Sequence, residues 1–440
     1  MRFFITALLL SCASVCAQEV FPDIGSLPPI PYLPDPFLMA NGERIKSPSD
    51  WRAQRQYLLD MLGYYEYGRM PPGPGNVKGT VTSASVSADK RTVTQKVRIT
   101  CGPKDAVQFT FSLERPNSAG PFPAIIAIGG SFAADLGIDS ALAHGARKGY
   151  LMVSFDEESL ARDNLDMKTE IPAYAAYDWG TLAAWAWGTH RILDYLIGRP
   201  EADPKRIAVT GHSRYGKAAI WAGATDERFT LVAANHSGTG GAESGKFGKG
   251  ETVFNVATRF NHWFQADGRY AQCGDSANIT RMPFDGHFLK AAVAPRDLLD
   301  LEGTQDPIVN AWGSAQTTFA ATRVYDYLGA EGRLVNHYCA CKHVFDWDGI
   351  FAYTDHVWFG NALPSDYFKL NAGYSEEAAL IPWSAPSAVS TRIVPERRSI
   401  RFYRSPRGYD FAGRRTPAYS GFSQAAKAQA GQGVGPESSR

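Results

Sequence analysis

Residues Ile207-Ala208-Val209-Thr210-Gly211-His212-Ser213-Arg214-Tyr215-Gly216-Lys217-Ala218-Ala219-Ile220 carry both the fold and the chemistry. An apolar β-forming run ends in Gly-His-Ser, and a helix-favouring run follows: strand, tight turn, helix. A serine at such a junction sits on a sharp elbow with its hydroxyl above the sheet and its backbone at a helix N-terminus. Unpaired N–H groups there can bind an oxyanion, and the helix dipole favours developing negative charge. The turn crowds its neighbours, so small residues must flank it, usually as Gly-x-Ser-x-Gly. Here the second glycine comes one residue late, at Gly216. Arg214 and Lys217 set two cations beside Ser213, as suits an anionic transition state or an oxygen-rich substrate.

Working outward, continuous apolar strands are predicted at Pro123–Ile128, Tyr150–Phe155, Arg206–Thr210, Phe229–Ala234, Asp297–Leu301 and Arg333–Tyr338. Helices are predicted over Trp179–Ile197, with an apolar stripe from Leu182 to Leu196, and over Gln316–Leu328. Apolar strands alternating with helices imply a mostly parallel sheet covered on both faces. Ahead of them, Gly79–Ala88, Arg91–Cys101 and Ala106–Arg115 alternate Val, Thr and Phe with polar residues, as an antiparallel meander does. A capped helix is expected from Trp51, after a proline-rich arm over 18–48. Together these make a three-layer α/β-hydrolase sandwich with an antiparallel N-terminal part.

The chain also resembles the glucuronoyl esterases, carbohydrate esterase family 15. Their elbow reads Gly-x-Ser-Arg-x-Gly-Lys, as do residues 211–217. Asp178-Trp-Gly-Thr-Leu-Ala-Ala-Trp-Ala-Trp-Gly188 is similar to their helix before the nucleophile, and His236-Ser-Gly-Thr-Gly-Gly241 to their Ser-Gly-x-Gly-Gly loop. Arg259-Phe-Asn-His-Trp-Phe264, Pro283-Phe-Asp-Gly-His287 and Ala294-Pro-Arg296 are similar too. The likeness spans about Trp51 to Phe359 and suggests a bacterial-type member. It implies hydrolysis of 4-O-methyl-glucuronate esters on xylan, including those to lignin alcohols.

A nucleophilic serine needs a base and an acid, in the chain order Ser, acid, His. His343 falls just past the last predicted strand and also matches the family's histidine, which precedes a helix with an Asp-Trp pair. For the acid, many fungal members carry a Glu where this chain has His236. Some bacterial members use an acid after the next-to-last strand instead. Asp306 in Gly303-Thr-Gln-Asp-Pro is preferred here, with Glu302 the alternative. His212 and Val344 stand where fungal relatives carry a cysteine pair flanking Ser and His, so that clamp is absent.

The resemblance implies an oxyanion-stabilising role for Arg214 and sugar-hydroxyl contact for Lys217, with Trp312 as the uronate-contacting tryptophan. Two further polar contacts of fungal relatives fall near Thr252 and Phe260, and Phe260 cannot replace an acidic contact. Gly129-Gly130-Ser131 ends an early strand and is either a second oxyanion donor or a simple tight turn. The expected reaction is acyl transfer through Ser213, with no cofactor and no metal. The alternatives are an acetyl-xylan esterase or other serine hydrolase, and a carbohydrate-binding protein on a decayed hydrolase frame.

Composition fits this reading. The chain has 440 residues, 44% of them hydrophobic, enough for one large α/β domain. Net charge is +1, from 45 Lys+Arg against 44 Asp+Glu, which argues against a globally basic nucleic-acid binder. Arg2, the apolar run Phe3–Leu10 and the small residues up to Ala17 read as a signal peptide over 1–17, with Cys12 as an alternative lipidation site. A secreted or periplasmic enzyme, or a lipoprotein, is therefore expected. No other segment reads as membrane-spanning, and a monomer is expected. The esterase domain should run over 18–385. The arginine-rich segment 386–440 reads as a poorly ordered tail. Beyond the signal, Cys101, Cys273, Cys339 and Cys341 are too few for a disulfide framework, and buried or singly paired thiols are expected.

Overall fold

The computed structural model describes residues 21–164, 167–364 and 373–387. The expected signal peptide, Cys12 and nearly all of the basic tail lie outside them.

One nine-stranded sheet organises the chain. Its strands are β1 (Lys78–Val86), β2 (Thr92–Cys101), β3 (Val107–Pro116), β4 (Phe122–Ile128), β5 (Leu151–Asp156), β6 (Ala202–His212), β7 (Leu231–Asn235), β8 (Asp297–Gly303) and β9 (Leu334–Cys339). They lie in the order β1-β2-β3-β5-β4-β6-β7-β8-β9. The pairs β1–β2, β2–β3 and β3–β5 are antiparallel, and the rest are parallel. The α/β-hydrolase sandwich read from the sequence is the observed architecture.

The continuous apolar runs are explained by burial on two faces. Side chains alternate along a strand. In β4, Ile126 and Ile128 pack into one apolar cluster with Leu182, Trp185 and Ile192 of the helix Thr181–Ile197. Ile125 and Ala127 turn to the other face and pack with Ile138, Leu142, Ile350 and Phe351, from the helices Ile138–Lys148 and Trp347–Phe359. The proline-rich arm adds Phe21, Ile24, Phe37 and Ile45 to the first cluster. Phe37 meets Trp51, Tyr327 and Trp383 there at ring distances of 5.4–6.3 Å.

Four neighbouring parallel strands, β6 to β9, run the same way, so the segments that follow them gather at one edge of the sheet. These carry Ser213, Asn235–His236, Asp306 and His343. An open parallel sheet places its ligand site beyond the carboxyl ends of its strands.

Beneath that edge, Lys290 of the helix Gly286–Val293 is wholly buried against Asp300 of β8, at 2.7 Å. Its ammonium also donates to Ser314 O (2.9 Å) and Thr318 Oγ1 (2.7 Å). Removing the cation strands a buried carboxylate. Lys290→Met should therefore lose about 3–5 kcal/mol of stability in urea titration, whereas Lys290→Met with Asp300→Leu should recover most of it.

Candidate active site

Ser213 caps the helix Arg214–Thr225 with φ 58° and ψ −125°, a conformation that a non-glycine residue rarely adopts. Its N–H donates to Asn235 O at 2.9 Å, which ties the elbow to the end of β7. A Cβ on Gly211 would stand 2.2 Å from Tyr215 O; one on Gly216 would meet Asn235 O at 2.9 Å and Gly211 O at 3.0 Å. The late second glycine is thus the residue that lets the first helical turn close onto β6 and β7.

Asp306 follows β8, and its side chain is fully buried. Its Oδ2 accepts from His343 Nδ1–H at 2.5 Å and from His236 Nδ1–H at 2.8 Å, while Oδ1 accepts from Ile308 N–H at 2.9 Å. Burial alone would raise this carboxyl's pKa. The two imidazole bonds and the backbone bond outweigh it and hold the group well below the usual carboxylate range. With Nδ1 donating, His343 keeps Nε2 as its free ring nitrogen, and its ring lines the same cleft as Ser213.

Asn235 links these parts. In the orientation that satisfies both side-chain atoms, its amide nitrogen donates to Val344 O (3.0 Å) and His212 Nδ1 (2.9 Å), and its oxygen accepts from Asp346 N–H (3.1 Å). His212 is neutral: burial, then the His343 and His236 rings nearby, push its pKa well below the ordinary value. The positions expected to lack a cysteine clamp are therefore joined by hydrogen bonds through one buried amide.

The cleft, about 680 Å³, is walled by His212, Ser213, Arg214, Glu251, Arg259, Phe260, Trp263, Ile308 and His343, among others. Phe260 stacks on Trp263 with ring centroids 4.0 Å apart. The Arg214 guanidinium pairs with Asp163, which also accepts from His262 Nε2 (3.1 Å) and Trp263 Nε1. Burial opposes ionisation of Asp163, but His262, Arg214 and Trp263 together hold its carboxyl below the ordinary value. Lys217 is buried one layer behind the wall. Its ammonium donates to Ser237 O (2.6 Å) and to Glu251 Oε2 (2.8 Å). Gly238, at φ 66°, leaves room for that pair, since a Cβ there would lie 2.5 Å from Glu251 Oε2. Burial pushes Glu243 up to about 8 and Glu66 well above the carboxylate range, and the Lys217 charge partly offsets both.

Residues 97–329, more than half of the chain, match the family model described as glucuronyl esterase, fungi. The chain belongs to the glucuronoyl esterase family. A 4-O-methyl-glucuronoyl methylesterase of Schizophyllum commune is 29% identical over 81% of this chain and 91% of its own length. The family 15 glucuronoyl esterase of Caldicellulosiruptor kristjansonii superposes with a TM-score of 0.67, at 28% identity, over 82% of this chain and 99% of that one. A Ser-to-Ala mutant of the Sporotrichum thermophile esterase, solved with methyl 4-O-methyl-beta-D-glucopyranuronate, gives 0.65 at 26% identity, over 83% and 98%.

Within this glucuronoyl esterase frame the residues singled out from sequence fall in different places. Ser213, Arg214 and His343 line one cleft, and Asp306 is bonded to His343. Glu302 bonds to no histidine; burial first, then its carboxyl neighbours Glu243 and Asp300, raises its pKa well above the carboxylate range. Trp312 is not on the cleft wall. The helix expected from Gln316 starts at Ala311, capped by Asn310, so Trp312 is half-buried in its first turn, and Trp263 is the tryptophan of the wall. Ser131 N–H faces Glu157 (3.4 Å) and Phe132 N–H closes onto Gly129 O (3.0 Å), so this segment is a tight turn. Thr252 caps the helix Val253–Arg259. Asp163, Glu251, Trp263 and Asn235 were not singled out. Glu251 lies beside Thr252, and Trp263 inside the quoted Arg259–Phe264 motif, whereas Asp163 had no such signal.

Cys339 and Cys341 are disulfide-bonded, and Cys101 and Cys273 are free and buried. Among the described residues, two donor groups are compact enough to surround an ion, His236–Cys339–Cys341 and His236–Asp306–His343. In both, donors are already bonded to one another. No helix among the described residues is long and apolar enough to cross a membrane.

The Asn235 amide has a measurable consequence. Asn235→Ala leaves several buried groups unpaired, at about 1–3 kcal/mol each. The elbow and the His343 loop then drift apart, and a misplacement on the order of 1 Å costs about a hundredfold in rate. Melting temperature and kcat should fall together, and unchanged kcat in a folded variant would show that the bridge does not set catalytic geometry.

Proposed function

We propose that this glucuronoyl esterase hydrolyses esters of (4-O-methyl-)glucuronic acid, such as those joining xylan to lignin alcohols, through an acyl-enzyme on Ser213. The observation that carries this is the Asp306–His343 hydrogen bond beside a serine held on a strained elbow at a helix N-terminus. His343 Nε2 takes the Ser213 hydroxyl proton as Oγ attacks the ester carbonyl. The Arg214 N–H and guanidinium stabilise the oxyanion, and Asp163 fixes that guanidinium. His343 returns the proton to the departing alcohol. It then deprotonates a water, whose attack on the acyl carbon frees glucuronate and restores Ser213. Asp306 stays ionised throughout, compensating the imidazolium. Trp263 and Phe260 offer a ring face, and Glu251, held from behind the wall by Lys217, offers a polar group to a uronate sugar. The N-terminal segment supports action after export, on a polysaccharide carrying the ester.

The test is a substrate panel of methyl and benzyl glucuronate esters, acetylated xylan and p-nitrophenyl acetate. Glucuronate esters should be strongly preferred, and equal efficiency on acetylated xylan would favour an acetyl esterase. Ser213→Ala should lower turnover by roughly four to six orders of magnitude with the fold intact. Asp306→Asn should cost on the order of ten thousand-fold, because the imidazole loses its orienter and its compensating charge. Glu302→Gln should leave kcat nearly unchanged, and the reverse ranking would move the acid to Glu302.

The two cations should separate kinetically. Arg214→Ala should lower kcat by about a hundred- to a thousand-fold with KM nearly unchanged, as for one oxyanion donor. Lys217→Ala should raise KM more than it lowers kcat. It should also lower the melting temperature, since Glu251 loses its ion-pair partner and the buried Ser237 carbonyl its donor. Wild-type kcat and KM in both variants, with stability alone reduced, would restrict both cations to structural pairing.

A further inference from the structure

His236 follows β7 directly and is buried, with φ 45°, a left-handed conformation that strains a residue with a Cβ. The turn aims its ring across the end of β8. A Cβ on Gly303, the last residue of β8, would lie 2.6 Å from His236 Cε1, so the sheet keeps a glycine where the imidazole passes. The ring ends on Asp306, where Nδ1–H donates to the same Oδ2 that accepts from His343.

We propose that His236 is a positioning residue for the esterase reaction, sharing Asp306 Oδ2 with His343 and locking that carboxylate against rotation. This rests on the Ser213–His343–Asp306 assignment above. A terminal carboxyl torsion is soft on its own. Here Oδ1 is fixed by Ile308 N–H and Oδ2 by two imidazoles, so the acceptor for His343 has one orientation before substrate arrives. Sharing has an electrostatic side too. A carboxylate with two imidazole donors stabilises a protonated His343 less than one with a single donor. The groups facing His236 are Asp306, the rings of His212 (5.5 Å) and His343 (5.6 Å), the carboxylate of Asp346, and Cys341 Sγ of the disulfide, 3.9 Å from Nε2. His236 does not itself line the cleft, so it acts through Asp306 and not on substrate.

The experiment compares His236→Leu, which keeps bulk without a donor, with His236→Asn, whose amide nitrogen can occupy the Nδ1 position. On benzyl glucuronate, His236→Leu should lose about ten- to a hundredfold in kcat at unchanged KM, the scale expected for a misplaced catalytic group. The acid limb of its kcat/KM profile should move to higher pH, since His343 then holds Asp306 alone. His236→Asn should recover most of kcat. Wild-type kcat and profile in His236→Leu overturn the proposal. So does equal impairment of both variants with a matching fall in melting temperature, which marks a structural role only. Should His236→Leu fail to fold, the proton spectrum of the wild-type enzyme decides. A low-field imidazole N–H resonance that disappears in His236→Asn while that of His343 remains supports the shared carboxylate, and a low-field spectrum unchanged in His236→Asn overturns it. Ser213→Ala is the separate control: full activity there would remove the triad reading itself, whereas an inactive Ser213→Ala beside normal His236 variants removes only this inference.

Discussion

The candidate site depends on the tight contact of the Ser213 elbow with the ends of β6 and β7. Gly211 lies under Tyr215 O with no room for a Cβ, and Gly216 lies against Asn235 O and Gly211 O. This approach fixes where the helix Arg214–Thr225 starts, and so where its unpaired N–H groups and the Arg214 guanidinium stand. It also forces the backbone of β7 to serve the elbow, through the bond from Ser213 N–H to Asn235 O. Strain at Ser213 is over-determined by two ladder-paired strands and a buried helix, which hold its unusual backbone in place.

Around that elbow, charge is held by small networks built on shared acceptors. Asp306 takes three donors. Asp163 takes Arg214, His262 and Trp263. Lys217 is the converse, a donor shared between Glu251 and Ser237 O. Each network fixes a group on or just behind the cleft wall, and each joins segments apart in the chain. Preorganisation of this kind removes the cost of reorienting dipoles as charge develops.

Much of this was legible in the sequence because it is local. Strands buried on two faces must be continuously apolar, so β4, β5 and β6 announced themselves. An elbow serine needs its glycines within a few residues. His343 and Asp306 were singled out by their places after the last strands together with the family's pattern, with Glu302 left open. The rest depends on contacts no spacing reports. Asp163 lies 51 residues before Arg214 and meets it only once the fold has closed. His236 stood out as a replaced acid, but nothing in its neighbours shows that its ring reaches Asp306. Trp312 came from the family resemblance alone, and the structure sets it in the first turn of a helix that Asn310 caps, off the cleft wall.

The central claim is that ester cleavage passes through a covalent glucuronoyl group on Ser213. Rapid acid quenching during turnover of a glucuronate ester, followed by mass spectrometry of the digested protein, addresses it directly. The account predicts one glucuronoyl adduct, on the peptide that carries Ser213, accumulating when His343 is replaced so as to slow deacylation more than acylation, or when a poor nucleophile replaces water. A rapidly turning-over enzyme whose Ser213 peptide stays unmodified while another residue carries the acyl group would contradict it.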